Sequence, residues 1–314
     1  MDWLQALLLG IVQGLTEFLP VSSSGHLMIV RELLGVEPEG FLDFTVTVHL
    51  ATVLSTIIVF WKPICKLIAG FFKFKYNDET DYIFKIIVSM IPVALVGFLF
   101  KDKVEALFGD SLTTVAVCLL ITAALLLLSD FFGSGRGAAA SSSCASSTAP
   151  VSSSAPEATI YPARARSAGS KGAAAADGTP SRSAGNRNGI SYLQALIVGI
   201  GQACAVAPGL SRSGTTIATG LLCGVRRTAM AQFSFLMVLV PIIGEQLLDI
   251  LKAVTGEATL GGGLSPVCLI VGFFAAFLSG LFACKTMVAL VRKAKLGWFA
   301  LYCTIVAVLI FIIA

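Results

Sequence analysis

The stretch LQALLLGIVQGLTEFLPVSSSG at residues 4–25 returns as LQALIVGIGQACAVAPGLSRSG at residues 193–214, with 10 identities in 22 aligned positions at a constant offset of 189. The match resumes at Gly35-Val36 and Gly224-Val225 without a gap. Each copy is an apolar segment broken near its middle. In the first the break is Pro20 with Ser22, Ser23, Ser24 and Gly25; in the second it is Pro208-Gly209 with Ser211, Arg212, Ser213 and Gly214. Such a break leaves backbone N–H and C=O groups without helical partners, which hydrocarbon does not tolerate, so it must face protein or a water-filled cavity. Each arm holds only about 12 to 16 apolar residues, short of the ~20 needed for a crossing. The reading is a helix-loop-helix hairpin that enters and leaves on one side, at residues 3–36 and 190–225.

The rest of the chain agrees with a membrane setting. Of 314 residues 56% are apolar and 13% charged, against roughly a quarter charged in a soluble domain, which excludes a water-soluble globule. Mean hydropathy is +0.88. Long apolar runs predict six transmembrane helices, at 44–61, 83–100, 111–131, 228–250, 264–285 and 296–314. The second is extended through Tyr82 to Lys85, on the view that a Lys near a helix end reaches back to the interface. The expected fold is therefore an all-α polytopic membrane protein of two units, residues 1–132 and 190–314, each a re-entrant hairpin plus three helices. Three is odd, so the second unit starts on the opposite side of the membrane, which predicts an inverted repeat whose broken hairpins meet near the midplane.

Basic residues orient it. The loops reached after the first, third and fifth spans carry 17 Lys and Arg and the opposite side carries 4, with Arg212 set aside as intramembrane. Positive-inside reasoning places the 17 in the cytoplasm, and the mouth of the first hairpin outward. A net charge of +4 distributed in this way speaks of orientation and not of nucleic-acid binding. Residues 133–189 are Ala, Ser, Gly and Pro with scattered Arg and read as a disordered cytoplasmic linker. The eight Cys form no C-x-x-C pair and read as packing residues. A bacterial plasma membrane location and a homodimer are the working expectations for setting and assembly.

The polar residues of the hairpins are the candidates for chemistry. Gln13 and Glu17 lie four apart, on one helical face. An ionised Glu in an apolar segment costs about 2.5–3.5 kcal/mol without a cation, a metal or water, so Glu17 is either functional or protonated and bonded to a Ser. His26 stands within ten residues of Glu17 and the three serines; it is a candidate for proton transfer, the plain alternative being a satisfied interior histidine. Arg212 stays protonated and presents a planar fork of donors suited to phosphate oxygens. Its plain alternative is a buried ion pair with Glu17. Ser22, Ser24, Gly25, Ser211, Ser213 and Gly214 offer hydroxyls and backbone N–H groups to an anion. His49, in the first span, reads as a packing or supporting histidine. A carboxylate for a divalent ion, Ser23 and His26 for nucleophile and proton transfer, and an Arg clamp make the equipment of phosphoryl transfer. In a membrane protein it points to a lipid phosphate. The competing reading is an inverted-repeat transporter or flippase of a polyprenyl phosphate or other anion, which shares the architecture but needs no nucleophile.

The segments Gln13 to His26 and Pro208 to Gly214 resemble the two signatures of the bacterial undecaprenyl-diphosphate phosphatase, or bacitracin-resistance protein, family, and the likeness covers both halves outside the linker. The resemblance implies hydrolysis of undecaprenyl diphosphate to the monophosphate and inorganic phosphate on the outer face, recycling the lipid carrier for peptidoglycan synthesis. It links Gln13 and Glu17 to a divalent metal, Mg²⁺ or Ca²⁺, and maps the family's Ser, His and Arg to Ser23, His26 and Arg212. Two features depart from the pattern. The linker is long, and Gln in place of Glu at 13 leaves the metal site one charge fewer. Ser23 as nucleophile with His26 as base, and His26 as a phosphohistidine, are both open; Ser23 is preferred.

Overall fold

The computed structural model describes residues 1–37, 40–100, 111–141, 189–207, 209–254, 264–293 and 295–313. All regular structure among them is helical: α1 (Trp3–Thr16), α2 (Ser23–Leu33), α3 (Phe41–Val59), α4 (Trp61–Phe71), α5 (Asp78–Leu99), α6 (Leu112–Ser141), α7 (Tyr192–Cys204), α8 (Arg212–Leu222), α9 (Arg227–Val254), α10 (Pro266–Lys293) and α11 (Gly297–Ile313). Among the described residues four helices, α5, α6, α9 and α10, are long and apolar enough to cross a membrane, or five if the bent pair α3 and α4 counts as one. At 17 residues α11 is at the lower limit for a span. The expected linker starts at 133, yet α6 continues to Ser141; residues 142–188 lie outside the described residues.

The two hairpins, α1 with α2 and α7 with α8, are built by the same local chemistry. Asp2 caps α1 and pairs reciprocally with Gln5, and Ser191 caps α7 and pairs reciprocally with Gln194, so two orphan N–H groups are satisfied at each start. The same Gln then reaches the end of the returning helix. Gln5 Nε2 donates to Leu34 O at 3.0 Å, and Gln194 Nε2 donates to Cys223 O at 2.9 Å. Each hairpin is thus closed at its mouth, with both ends adjacent.

The halves interlock. Helix α1 packs on α10, and α7 packs on α5, so each hairpin leans on a helix of the other half. Small residues make this approach possible: a side chain at Gly10 would collide with Gly272 and Ala275, and one at Gly199 with the backbone of Ser89. Helices α3 and α9, and α6 and α11, also pack across the halves. Asp130 near the end of the α6 span ion-pairs with Arg227 at the start of α9 and accepts from Gly297 N at the start of α11 at 3.2 Å.

Two details differ from the sequence reading. The first span ends at Val59, and the chain turns by 74° into α4, where only a connection is expected. Pro63 has no N–H for the Val59 carbonyl four residues back, so α3 stops there; in the first turn of a new helix the missing donor costs nothing. The second difference is Lys85. It does not reach back to an interface but is fully buried, its Nζ 2.6 Å from Asp81 Oδ2. Asp81 Oδ1 also accepts from Tyr76 (2.7 Å) and Tyr192 (2.9 Å), and the Lys85 Nζ lies 5.3 Å from the Tyr192 ring centroid. Tyr192 begins α7, so this charged cluster fixes the second hairpin to α5. Removing one partner of a buried pair strands the other charge. Lys85→Met is expected to destabilise the fold by about 3–5 kcal/mol, and Asp81→Asn combined with it to restore much of the loss; thermal unfolding in detergent measures both.

Candidate active site

The first break is a short, strained loop. Helix α1 ends at Thr16 with Glu17 as its cap, and the chain turns through Pro20 and Val21 to Ser22, which caps α2. Ser22 sits at φ 69° and ψ 95°, positive-φ backbone that costs a non-Gly residue of order 1–3 kcal/mol. Its Oγ accepts from Gly25 N at 3.3 Å. The second loop ends in the same kind of cap, Ser211 Oγ accepting from Gly214 N at 3.1 Å. The two loops touch: Ser213 Oγ donates to Leu19 O at 3.2 Å. Ser211 N donates to Thr122 Oγ1 of α6 at 3.3 Å.

Between the loops lies a small cleft. Glu17 and Arg212 both line it, from opposite hairpins, together with Ser22, Ser23 and Ser24. Ser211 and Ser213 complete the polar wall. Glu17 is the hub. Its Oε2 accepts from Ser23 Oγ at 2.6 Å and from Gln13 Nε2 at 2.8 Å. A second, apolar crevice between α3 and α9 shares Glu17, Ser213 and Val238 with the cleft and continues along Val53, Phe235 and Leu239.

Not every expected residue is brought together. Gly25 and Gly214 lie behind the cleft wall, their N–H groups already given to the serine caps. His26 also lies outside the lining. It is buried, with Nδ1 2.8 Å from Ser22 O and Nε2 2.8 Å from Tyr302 OH of α11. Neither nitrogen meets Ser23, so the pairing of Ser23 with His26 as its base does not match the geometry. His49, in contrast, turns towards the site: its Nδ1 is 2.8 Å from Thr45 O and its Nε2 is 3.8 Å from Glu17 Oε2. The signal for His49 was a polar stripe, Thr45, His49, Thr52 and Thr56, spaced to share one helical face.

A family model described as bacitracin resistance protein BacA matches residues 6–309. The chain belongs to this family. It is 46% identical to an undecaprenyl-diphosphatase of Bacteroides fragilis over 314 residues, covering 100% of this chain and 99% of the relative. It is 46% identical to one of Parabacteroides distasonis (97% and 96% covered) and 41% identical to one of Christiangramia forsetii (100% and 99%).

The donor set can be tested against a divalent metal. Among the described residues no group of three or more His, Cys, Asp and Glu side chains is placed to hold an ion, so a closed protein cage is ruled out there. An open oxygen site is what remains, and it fits: Gln13 is fully buried with its Oε1 unpartnered, while its Nε2 is spent on Glu17. An amide oxygen, one carboxylate and serine hydroxyls suit Mg²⁺ or Ca²⁺, which Mg²⁺ in particular completes with water and substrate phosphates. Gln13→Ala is expected to weaken binding of either ion on the order of tenfold, with helix content unchanged, as measured by calorimetric titration of the purified chain.

Proposed function

We propose that this chain is a membrane-embedded phosphohydrolase that converts undecaprenyl diphosphate to undecaprenyl phosphate and inorganic phosphate. The observation that carries the mechanism is the 2.6 Å hydrogen bond from Ser23 Oγ to Glu17 Oε2, in a cleft that Arg212 also lines. A hydroxyl donating to a carboxylate beside a guanidinium has a nucleophile, a proton acceptor and an anion clamp in one place. The family and the names of its relatives favour the same chemistry over a carrier.

In this mechanism the terminal phosphate enters between the loops and the Arg212 fork neutralises its oxygens. Ser23 Oγ attacks the terminal phosphorus and its proton passes to Glu17. The bond from phosphorus to the bridging oxygen breaks, the proton goes to that oxygen, and undecaprenyl phosphate leaves. Water then attacks the phosphoserine, giving one proton to Glu17, which returns it to Ser23 Oγ as inorganic phosphate departs. Gln13 and Glu17 would hold a divalent ion, which when bound would supply further neutralisation of the phosphate oxygens. The apolar crevice along Val53, Phe235 and Leu239 suits the first units of the polyprenyl tail, the rest of which stays in lipid.

The halves are read as an inverted repeat, the site facing the outer side and the 133–189 linker the cytoplasm. The matching hairpin closures at an offset of 189 and the 17 to 4 distribution of basic residues support this. In that orientation the enzyme regenerates the carrier lipid for peptidoglycan synthesis, and removal of diphosphate from the outer leaflet confers bacitracin resistance.

Purified protein in detergent, without compartments, is expected to release inorganic phosphate from a polyprenyl diphosphate when Mg²⁺ or Ca²⁺ is present. Ser23→Ala, Glu17→Ala and Arg212→Ala should each lower the rate at least about 10²-fold. A rapid quench in neutral detergent denaturant, which preserves both phosphoserine and acid-labile phosphohistidine, should find the phosphoryl group on Ser23. A carrier would release none, and label on His26 would replace Ser23 as the nucleophile.

A further inference from the structure

We propose that Tyr302, in the last helix, is a positioning residue for hydrolysis, acting through His26 on the strained Ser22 turn that aims Ser23 at Glu17. The kinetic part rests on the phosphatase reading; the contact itself rests on geometry.

A carbonyl oxygen can only accept, so the 2.8 Å contact of His26 Nδ1 with Ser22 O puts the imidazole proton on Nδ1. In the neutral ring Nε2 is then an acceptor, and the group 2.8 Å from it is the Tyr302 hydroxyl, which donates. The two rings also stack, their centroids 5.6 Å apart and their planes within 10°. The next residue of α11 serves the same loop: Cys303 Sγ lies 3.8 Å from Pro20 O as a donor. Helix α11 therefore backs the first loop at two consecutive positions.

What this holds is the one segment of the site with a positive-φ serine. Ser22 persists at φ 69° because its surroundings over-determine it. Its carbonyl receives both the His26 backbone N–H (3.2 Å) and the His26 ring N–H, and its hydroxyl receives Gly25 N. Without Tyr302 the ring is free to turn about its χ2 axis and release the Ser22 carbonyl. Ser23 follows directly, and its Oγ has to stay on Glu17 Oε2.

The chain has two histidines, His26 and His49, so ¹⁵N-histidine labelling gives a spectrum of two imidazoles, assigned with His49→Gln. The unaltered protein is expected to show His26 as the Nδ1–H tautomer. Tyr302→Phe keeps the stacked ring and removes the donor; it should shift the His26 Nε2 signal towards that of an unbonded acceptor and leave His49 in place. In phosphate release, Tyr302→Phe should lower kcat on the order of 10-fold, with KM within about twofold. In a His26→Ala background the same substitution should have no further effect. An unshifted His26 nitrogen, or an equal loss of kcat with and without the imidazole, would overturn the proposal. No phosphate release by the unaltered chain would instead count against the phosphatase reading, because the nitrogen signals do not depend on turnover.

Discussion

A peptide group without a partner cannot sit in hydrocarbon, and two interrupted helices gather such groups at the same place. How the loops are satisfied explains why the site assembles. Leu19 O is met by Ser213, and Pro20 O by Cys303, both from the second half; Ser211 N is met by Thr122, from the first half. Each broken hairpin is completed by the other half of the chain. The groups that satisfy the backbone also bring Glu17 and Arg212 to one cleft. Folding and site formation are then one event, and a half on its own would leave buried carbonyls exposed to lipid at a cost of several kcal/mol each.

Much of this was legible because the determining signals are local. Pro, Gly and Ser clusters in an apolar background mark the breaks, and a constant offset of 189 relates the hairpins. What was not legible depends on partners far away in sequence. The direction of His26 is set by a tyrosine 276 residues later, and no spacing rule reaches that far. Lys85 was expected to reach an interface because charge near a helix end usually does. Asp81, one turn earlier, offered a partner at hydrogen-bonding spacing, and the tyrosines of two other segments completed the enclosure. Helix α4 was missed for a related reason: the basic stretch after the first span was counted as a loop, whereas Pro63 ends one helix while opening another.

The serine and glycine positions teach a different lesson. Ser22, Ser211, Gly25 and Gly214 matched expectations for an anion-binding helix start, yet their groups are largely spent on capping. A cap and an anion cradle use the same donors, so the same motif serves either. The cleft lining keeps all five serines and Arg212, the capping Ser22 and Ser211 included, and leaves Gly25 and Gly214 behind it.

Duplication also explains why the chemistry is asymmetric. At the offset of 189, Glu17 corresponds to Val206, Ser23 to Arg212 and His26 to Thr215, while Gln13 keeps its counterpart in Gln202. With a carboxylate in both hairpins, two like charges would face one cleft and repel an anionic ligand; with the guanidinium in both, Arg would stand at 23 and no serine would be left beside Glu17. Splitting the roles places one carboxylate and one guanidinium on a single cleft. The second hairpin bears the mark of that divergence. Gln202 is buried with both amide atoms lacking a hydrogen-bond partner, and Thr215 Oγ1 is in the same state. Gln13 Nε2 has Glu17 four residues on, whereas Gln202 has Val206 at that place, so its Nε2 goes without the carboxylate partner its counterpart uses.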